Sequence, residues 1–125
     1  MSDLRRKARR RARTWGVNAE ALCAWRLRLF GWRIVARDFK TPQGEIDLAA
    51  RRGRILAIIE VKARRDAASA PEAIGRRQRR RIEAATRRLL QARPALAGLD
   101  IRFDAMLVTP WRWPVHLRDA WRPEG

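Results

Sequence analysis

The sequence predicts an α/β domain, a mixed central sheet flanked by helices in the order α-β-β-β-α-β, with room for one further strand at the C-terminus. Three observations predict it: an amphipathic helical pattern beginning at Asn18, three short apolar runs punctuated by turn residues, and a second helical pattern that leads into another apolar run. At 125 residues the chain suits one domain, placed at residues 15–125, and is long enough to bury a core without disulfides or metals.

Residues 1–14 include seven Lys and Arg and no apolar stripe to pack, and are read as a disordered basic arm. Asn18 is a good N-cap, Ala21, Leu22, Trp25 and Leu29 recur at helical spacing, and Gly31 stands where a helix terminates, so the first helix is expected over 18–30. Strands are expected at 32–39, 45–51 and 54–64, separated by Thr41-Pro42-Gln43-Gly44 and by Gly53, and they read as an antiparallel meander. Pro71 and Glu72 open a second helix that runs to about Arg93, with Ile82, Ala85 and Leu89 inward, until Pro94 and Gly98 break the pattern. A fourth strand is expected at 101–108 and a fifth near 115–121. Trp111 and Trp113 are expected to pack on the sheet edge, with stacking on unpaired bases as the alternative.

Charge limits the partners. Lys and Arg number 30 against 13 Asp and Glu, a formal net charge of +17. A polyphosphate is the natural counter-charge, so nucleic acid, DNA ahead of RNA, leads the partner list. Arg-rich codon usage gives a similar composition without any partner. No apolar run approaches the roughly 20 residues of a membrane span, and no signal-peptide core is visible; a cytoplasmic protein with no membrane partner is expected. One cysteine, Cys23, and one histidine, His116, cannot build the usual zinc sites, and both are read as structural. Any catalytic metal must then take oxygen ligands.

The second and third strands carry the chemistry. Side chains alternate along a strand, so Glu60 and Lys62 share one face while Ile59, Val61 and Ala63 share the other. A type II′ turn with Gly53 first and Arg54 second sets Asp47 opposite Glu60. Opposed side chains lie roughly 5 Å apart at Cβ, a separation at which two carboxylates repel unless a cation sits between them. Asp47, Glu60 and the Val61 carbonyl are therefore candidate ligands for Mg²⁺ or Mn²⁺, with Lys62 positioned to orient a water or balance transition-state charge. A salt-bridged, solvated strand face is the bland alternative.

The strings GEIDLAA at 44–50, IIEVKARR at 58–65 and PEAI at 71–74 resemble the bacterial YraN family of nuclease-like proteins. The element order, with an acid ahead of the Glu-x-Lys strand, resembles the PD-(D/E)xK fold of restriction endonucleases and Holliday-junction resolvases. The resemblance covers about residues 15–108. It implies a restriction-endonuclease-like fold and a metal-dependent endonuclease that hydrolyses phosphodiester bonds, with branched or single-stranded structures among the expected substrates. A non-catalytic nucleic-acid binder of the same fold and a protein-interaction factor in DNA uptake or repair are the alternatives, and a homodimer is compatible with the resemblance. It also implies that Glu20 approaches the metal from the first helix, that Gln78 stands by the site on the second, and that Glu45 of the GEID string assists. Ile46 replaces the proline of the superfamily's Pro-Asp pair, as in the YraN-like pattern. Arg76, Arg77, Arg79, Arg80 and Arg81, near the start of the second helix, are candidate phosphate anchors, as are Arg64 and Arg65 at the end of the Glu-x-Lys strand.

Overall fold

The computed structural model describes residues 18–65 and 74–124. The basic arm, Pro71 and Glu72 lie outside them, but the expected opening of the second helix is corrected: Ile74 and Gly75 are not helical, and the helix begins only at Arg76, after an extended Gly75. Helix α1 covers residues 18–29. Strands β1 (Arg33–Thr41), β2 (Gly44–Arg52) and β3 (Ile55–Ala63) follow, then α2 (Arg76–Ala92), a 3-10 turn at Pro94–Leu96, β4 (Asp100–Val108) and β5 (Val115–Trp121). The sheet order is β1-β2-β3-β4-β5. Pairing is antiparallel except between β3 and β4, which run parallel because α2 intervenes as the crossover. This mixed five-stranded sheet is consistent with a restriction-endonuclease-like fold, and the C-terminal strand forms where it is expected.

The two helices pack on opposite faces. Ile82, Ala85 and Leu89 of α2 meet Ile46, Ala49, Leu56, Ile58, Phe103 and Ala105. On the other face Ala19, Cys23, Ala24 and Leu27 of α1 meet Leu48, Ala50, Ala57, Ile59, Met106 and Val108. The expected apolar stripe of α1 is thereby corrected: Leu22, Trp25 and Leu29 are exposed, Trp25 at 61% and Leu29 at 68%. Small residues on both sides, Ala19, Cys23 and Ala24 against Ala50 and Ala57, let helix and sheet approach closely, and that complementarity outweighs the larger transfer energy of the bulky stripe. The Arg28 and Arg26 guanidinium groups lie over the Trp25 and Phe30 rings instead.

Two glycines fix the frame. Gly53 has φ +61°, and with Arg52 paired to Ile55 it opens a two-residue hairpin of the expected type II′ sense. Gly44 lies under α2: a Cβ there would overlap the Arg81 carbonyl, so only glycine lets the helix cross the start of β2.

β4 is anchored to β5 by a buried polar group. Asp104 accepts from Arg102 Nε and Nη2, both at 2.9 Å, and from the Asp119 backbone N–H at 2.9 Å, while His116 Nε2 lies 2.7 Å away. Cys23 is also buried, so the structural reading of both residues agrees with their placement. The β4–β5 connection departs from expectation. Trp121 stacks on Phe103 with centroids 4.2 Å apart, but Trp111 is fully exposed and Trp113 about half exposed. The Arg112 N–H donates to the Thr109 carbonyl at 3.4 Å across Pro110 and Trp111, and Trp111 has φ +64°. Proline second and a positive φ third are the marks of a type II turn, whose third position favours glycine. A tryptophan held there costs on the order of 1 kcal/mol or more.

Candidate active site

Strand β3 alternates as expected. Leu56 and Ile58 pack with α2, whereas Ala57, Ile59, Val61 and Ala63 pack with α1. Glu60 and Lys62 thus fall on the α2 side, where Gln78 from the first turns of the helix meets Glu60. Strand β2 does not alternate: Ile46 belongs to the α2 cluster and Leu48, two residues on, to the α1 cluster. The slip falls at Asp47. The β2–β3 ladder runs from Arg52–Ile55 to Leu48–Ile59, and the next pair in that register would be Asp47 with Glu60. There the ladder stops, and Asp47 Oδ2 accepts the Val61 N–H at 2.8 Å in place of a main-chain partner. Backbone N–H groups of a strand lie in the sheet plane. The Asp47 carboxylate therefore sits in the opening between the two strands rather than standing on either face.

Negative charge collects at this opening. Burial pushes the Asp47 carboxyl up to about 7, with the Glu60 charge next, the Val61 N–H opposing, and Glu45 and Asp38 adding to the rise. Glu20, on α1, also stands at about 7, through burial first and then the charges of Asp47 and Asp38, opposed by Arg37. Glu60 is raised by burial and held down by the Gln78 amide, Lys62 and Arg64. Cys23, one turn beyond Glu20, is pushed up to about 12 by burial and then by the charges of Asp47 and Glu20. Carboxylates from α1, β2 and β3 thus share one partly buried field, the environment a hard cation neutralises.

The structure brings Asp47, Glu60, Val61, Lys62 and Gln78 together. Glu20 and Glu45 stand near enough to raise their neighbours electrostatically, Glu45 from an exposed place at the start of β2. Among the described residues, however, no three His, Cys, Asp or Glu side chains are set closely enough to hold a metal ion between them. The donor set still fits Mg²⁺ or Mn²⁺, because such ions keep several waters and take as few as one or two protein carboxylates. Asp38 was not singled out in the sequence. Its place follows from the Pro42–Gln43 hairpin, whose register puts Arg37 with Leu48 and Phe39 with Ile46, leaving Asp38, at φ +48°, across from Asp47.

The basic residues divide. Arg64 is close enough to lower Glu60, and its N–H donates to the Val108 carbonyl at 2.9 Å. Arg65 is exposed just beyond it. On α2, Arg76 pairs with Glu124 at 3.3 Å and Arg79 lies over the Trp121 ring, so both turn toward the C-terminal segment. Arg77, Arg80 and Arg81 are exposed, lining an open cleft with Arg76 and Gln43.

A family model described as uncharacterised protein family UPF0102 matches residues 19–108, a span that contains every one of these residues except Glu124 and Trp121. The chain is also similar to a UPF0102 protein of Parvibaculum lavamentivorans, 56% identical over 108 residues, which cover 86% of this chain and 81% of that protein. Similar proteins occur in Rhizorhabdus wittichii, 51% identical over 85% of this chain and 89% of the relative, and in Chelativorans sp., 48% identical over 93% and 94%.

Proposed function

Because the chain belongs to the uncharacterised protein family UPF0102, the YraN family of its sequence motifs, we propose that it is a Mg²⁺- or Mn²⁺-dependent endonuclease acting on nucleic acid, DNA ahead of RNA. The observation that carries this reading is Asp47 at the end of the β2–β3 ladder, bonded to the Val61 N–H and raised to about 7 beside Glu60. Asp47 and Glu60 would hold the cation through carboxylate oxygens, with the Val61 carbonyl, Glu20 and Glu45 as further oxygen donors. A bound divalent ion supplies charge neutralisation at the scissile phosphate and acidifies a water ligand. The chain's own groups do the rest. The Val61 N–H fixes Asp47 Oδ2. Gln78 orients Glu60 from the α2 side, and the Lys62 ammonium stands beside Glu60, where it stabilises negative charge developing on the phosphate. Arg64, Arg65, Arg77, Arg80 and Arg81 offer sequence-neutral contacts to the backbone. The reading places the protein in the cytoplasm, with its substrate; among the described residues no helix is long and apolar enough to cross a membrane.

The test is a panel of duplex, branched and single-stranded DNA and RNA incubated with Mg²⁺ or Mn²⁺. Wild type should cleave, and Glu60→Gln and Asp47→Asn, prepared identically, should lose turnover while binding at least as well, since a lost carboxylate removes a ligand and also a repulsion toward phosphate. Lys62→Ala should lose rate with little change in metal affinity. That no three His, Cys, Asp or Glu side chains among the described residues are set closely enough to hold a metal ion favours one second reading, a nucleic-acid binder without catalysis. Binding by wild type and Glu60→Gln alike, with cleavage by neither, would establish that reading instead.

A further inference from the structure

The sheet carries the Glu-x-Lys strand toward the exposed tryptophan turn. β4 runs parallel to β3, with Lys62 beside Leu107 and Ala63 beside Val108, and the Arg64 N–H continues the pairing onto the Val108 carbonyl. The turn Thr109-Pro110-Trp111-Arg112-Trp113-Pro114 begins at the next residue. Glu60 lies opposite Ala105, so the turn starts about 13 Å along the strand from the level of Glu60, at roughly 3.3 Å per residue.

The turn itself is costly in two ways. It leaves Trp111 wholly and Trp113 about half in water, where large aromatic surface gains nothing from burial, and it holds Trp111 at a positive φ that suits glycine. Proline on either side stiffens it. Strain kept at an exposed aromatic points to a ligand rather than to folding. Charge identifies the ligand's class. Arg112 lies between the two tryptophans, Arg64 and Arg65 end the adjacent strand, and no acidic residue occurs from Ala105 to Arg118. Flat apolar rings alternating with guanidinium groups match a single strand, whose bases have open faces and whose backbone carries one negative charge per phosphate. A duplex hides those faces.

We propose that the Thr109–Pro114 turn is a stacking platform for unpaired bases, so that the substrate of this site is nucleic acid with a single-stranded portion beside the scissile bond. The proposal rests on the nuclease reading and narrows its substrate class. Its test is metal-free fluorescence anisotropy of the full chain with a labelled oligothymidylate and with a labelled blunt-ended duplex at one salt concentration. Trp111→Ala and Trp113→Ala should each weaken oligothymidylate binding about tenfold, the usual effect of removing one base–aromatic stack, and change duplex binding less than about twofold. Trp111→Phe should retain most of the affinity. Trp111→Gly should raise Tm, because glycine suits the turn, yet lose single-strand binding as Trp111→Ala does, a trade that a purely structural tryptophan would not make. Equal losses on both substrates, or none on either, overturn the platform while leaving the nuclease reading intact. If wild type binds neither nucleic acid, both readings fall together.

Discussion

Asp47 has two features that sequence spacing supplies only in part. Its place opposite Glu60 follows from strand alternation and the Gly53 hairpin, but its in-plane bond to the Val61 N–H follows from the slip between Ile46 and Leu48, which no residue type announces. That burial has a measurable consequence. Asp47 and Glu20 stand at about 7, above their ordinary values of 3.8 and 4.5, so between about pH 4 and 7 the folded metal-free chain binds more protons than the unfolded one. Stability therefore falls as pH rises through that window and levels off above it. Asp104 works in the opposite sense: burial would raise it, but His116, Arg102 and the Asp119 N–H together hold it below the usual carboxylate range, so its contribution is lost only under more acidic conditions. In EDTA, Tm should decline from pH 5 to pH 8, Asp47→Asn should flatten the decline, and Mg²⁺ should restore part of the loss at pH 8. A Tm that rises across the same interval would show that the acidic cluster is not strained.

At the scale of elements, the position of α2 decides whether Gln78 reaches Glu60. The helix rests on Gly44, where any Cβ would meet Arg81 main chain rather than a flexible side chain. Gly44→Ala should destabilise by about 1–3 kcal/mol through overpacking and should weaken cleavage as well, because displacing α2 moves Gln78. Gly98→Ala, whose methyl would meet nothing within 4 Å, is the matched control and should be neutral in thermal melts and in cleavage. Equal stability of the two variants would mean that α2 adjusts freely over β2. Most elements were legible in the sequence, since Pro42–Gln43, Gly53 and Pro94 punctuate them. The buried face of α1 was not. Hydrophobicity selects Leu22, Trp25 and Leu29, while packing against Ala50 and Ala57 selects Ala19, Cys23 and Ala24.

At the scale of the whole molecule, a formal charge of +17 should make nucleic-acid binding steeply dependent on salt, because each neutralised phosphate releases counterions. With several Arg contacts, affinity should fall by about 10³-fold or more between about 50 and 200 mM salt. Deleting residues 1–13, which carry much of the positive charge, should reduce the slope of log affinity against log salt without changing the preference between single strand and duplex. Titrations at four salt concentrations would measure both slopes. A flat dependence would mark the charge as a product of composition alone.

The sequence by itself determined the order of elements, the meander of β1 to β3, the membership of Asp47, Glu60 and Lys62 in one constellation, and the family, because these depend on local periodicity, turn chemistry and short strings of residues. Only the tertiary structure decided where the β2–β3 ladder opens, which stripe of α1 is buried, that Asp38 joins the field of Asp47, and that Trp111 and Trp113 stay in solvent while Trp121 packs on Phe103. Each of these is settled by competition among groups far apart in the chain for the same space, hydrogen-bond partners or water, and a pattern read along one strand or helix contains none of the competitors.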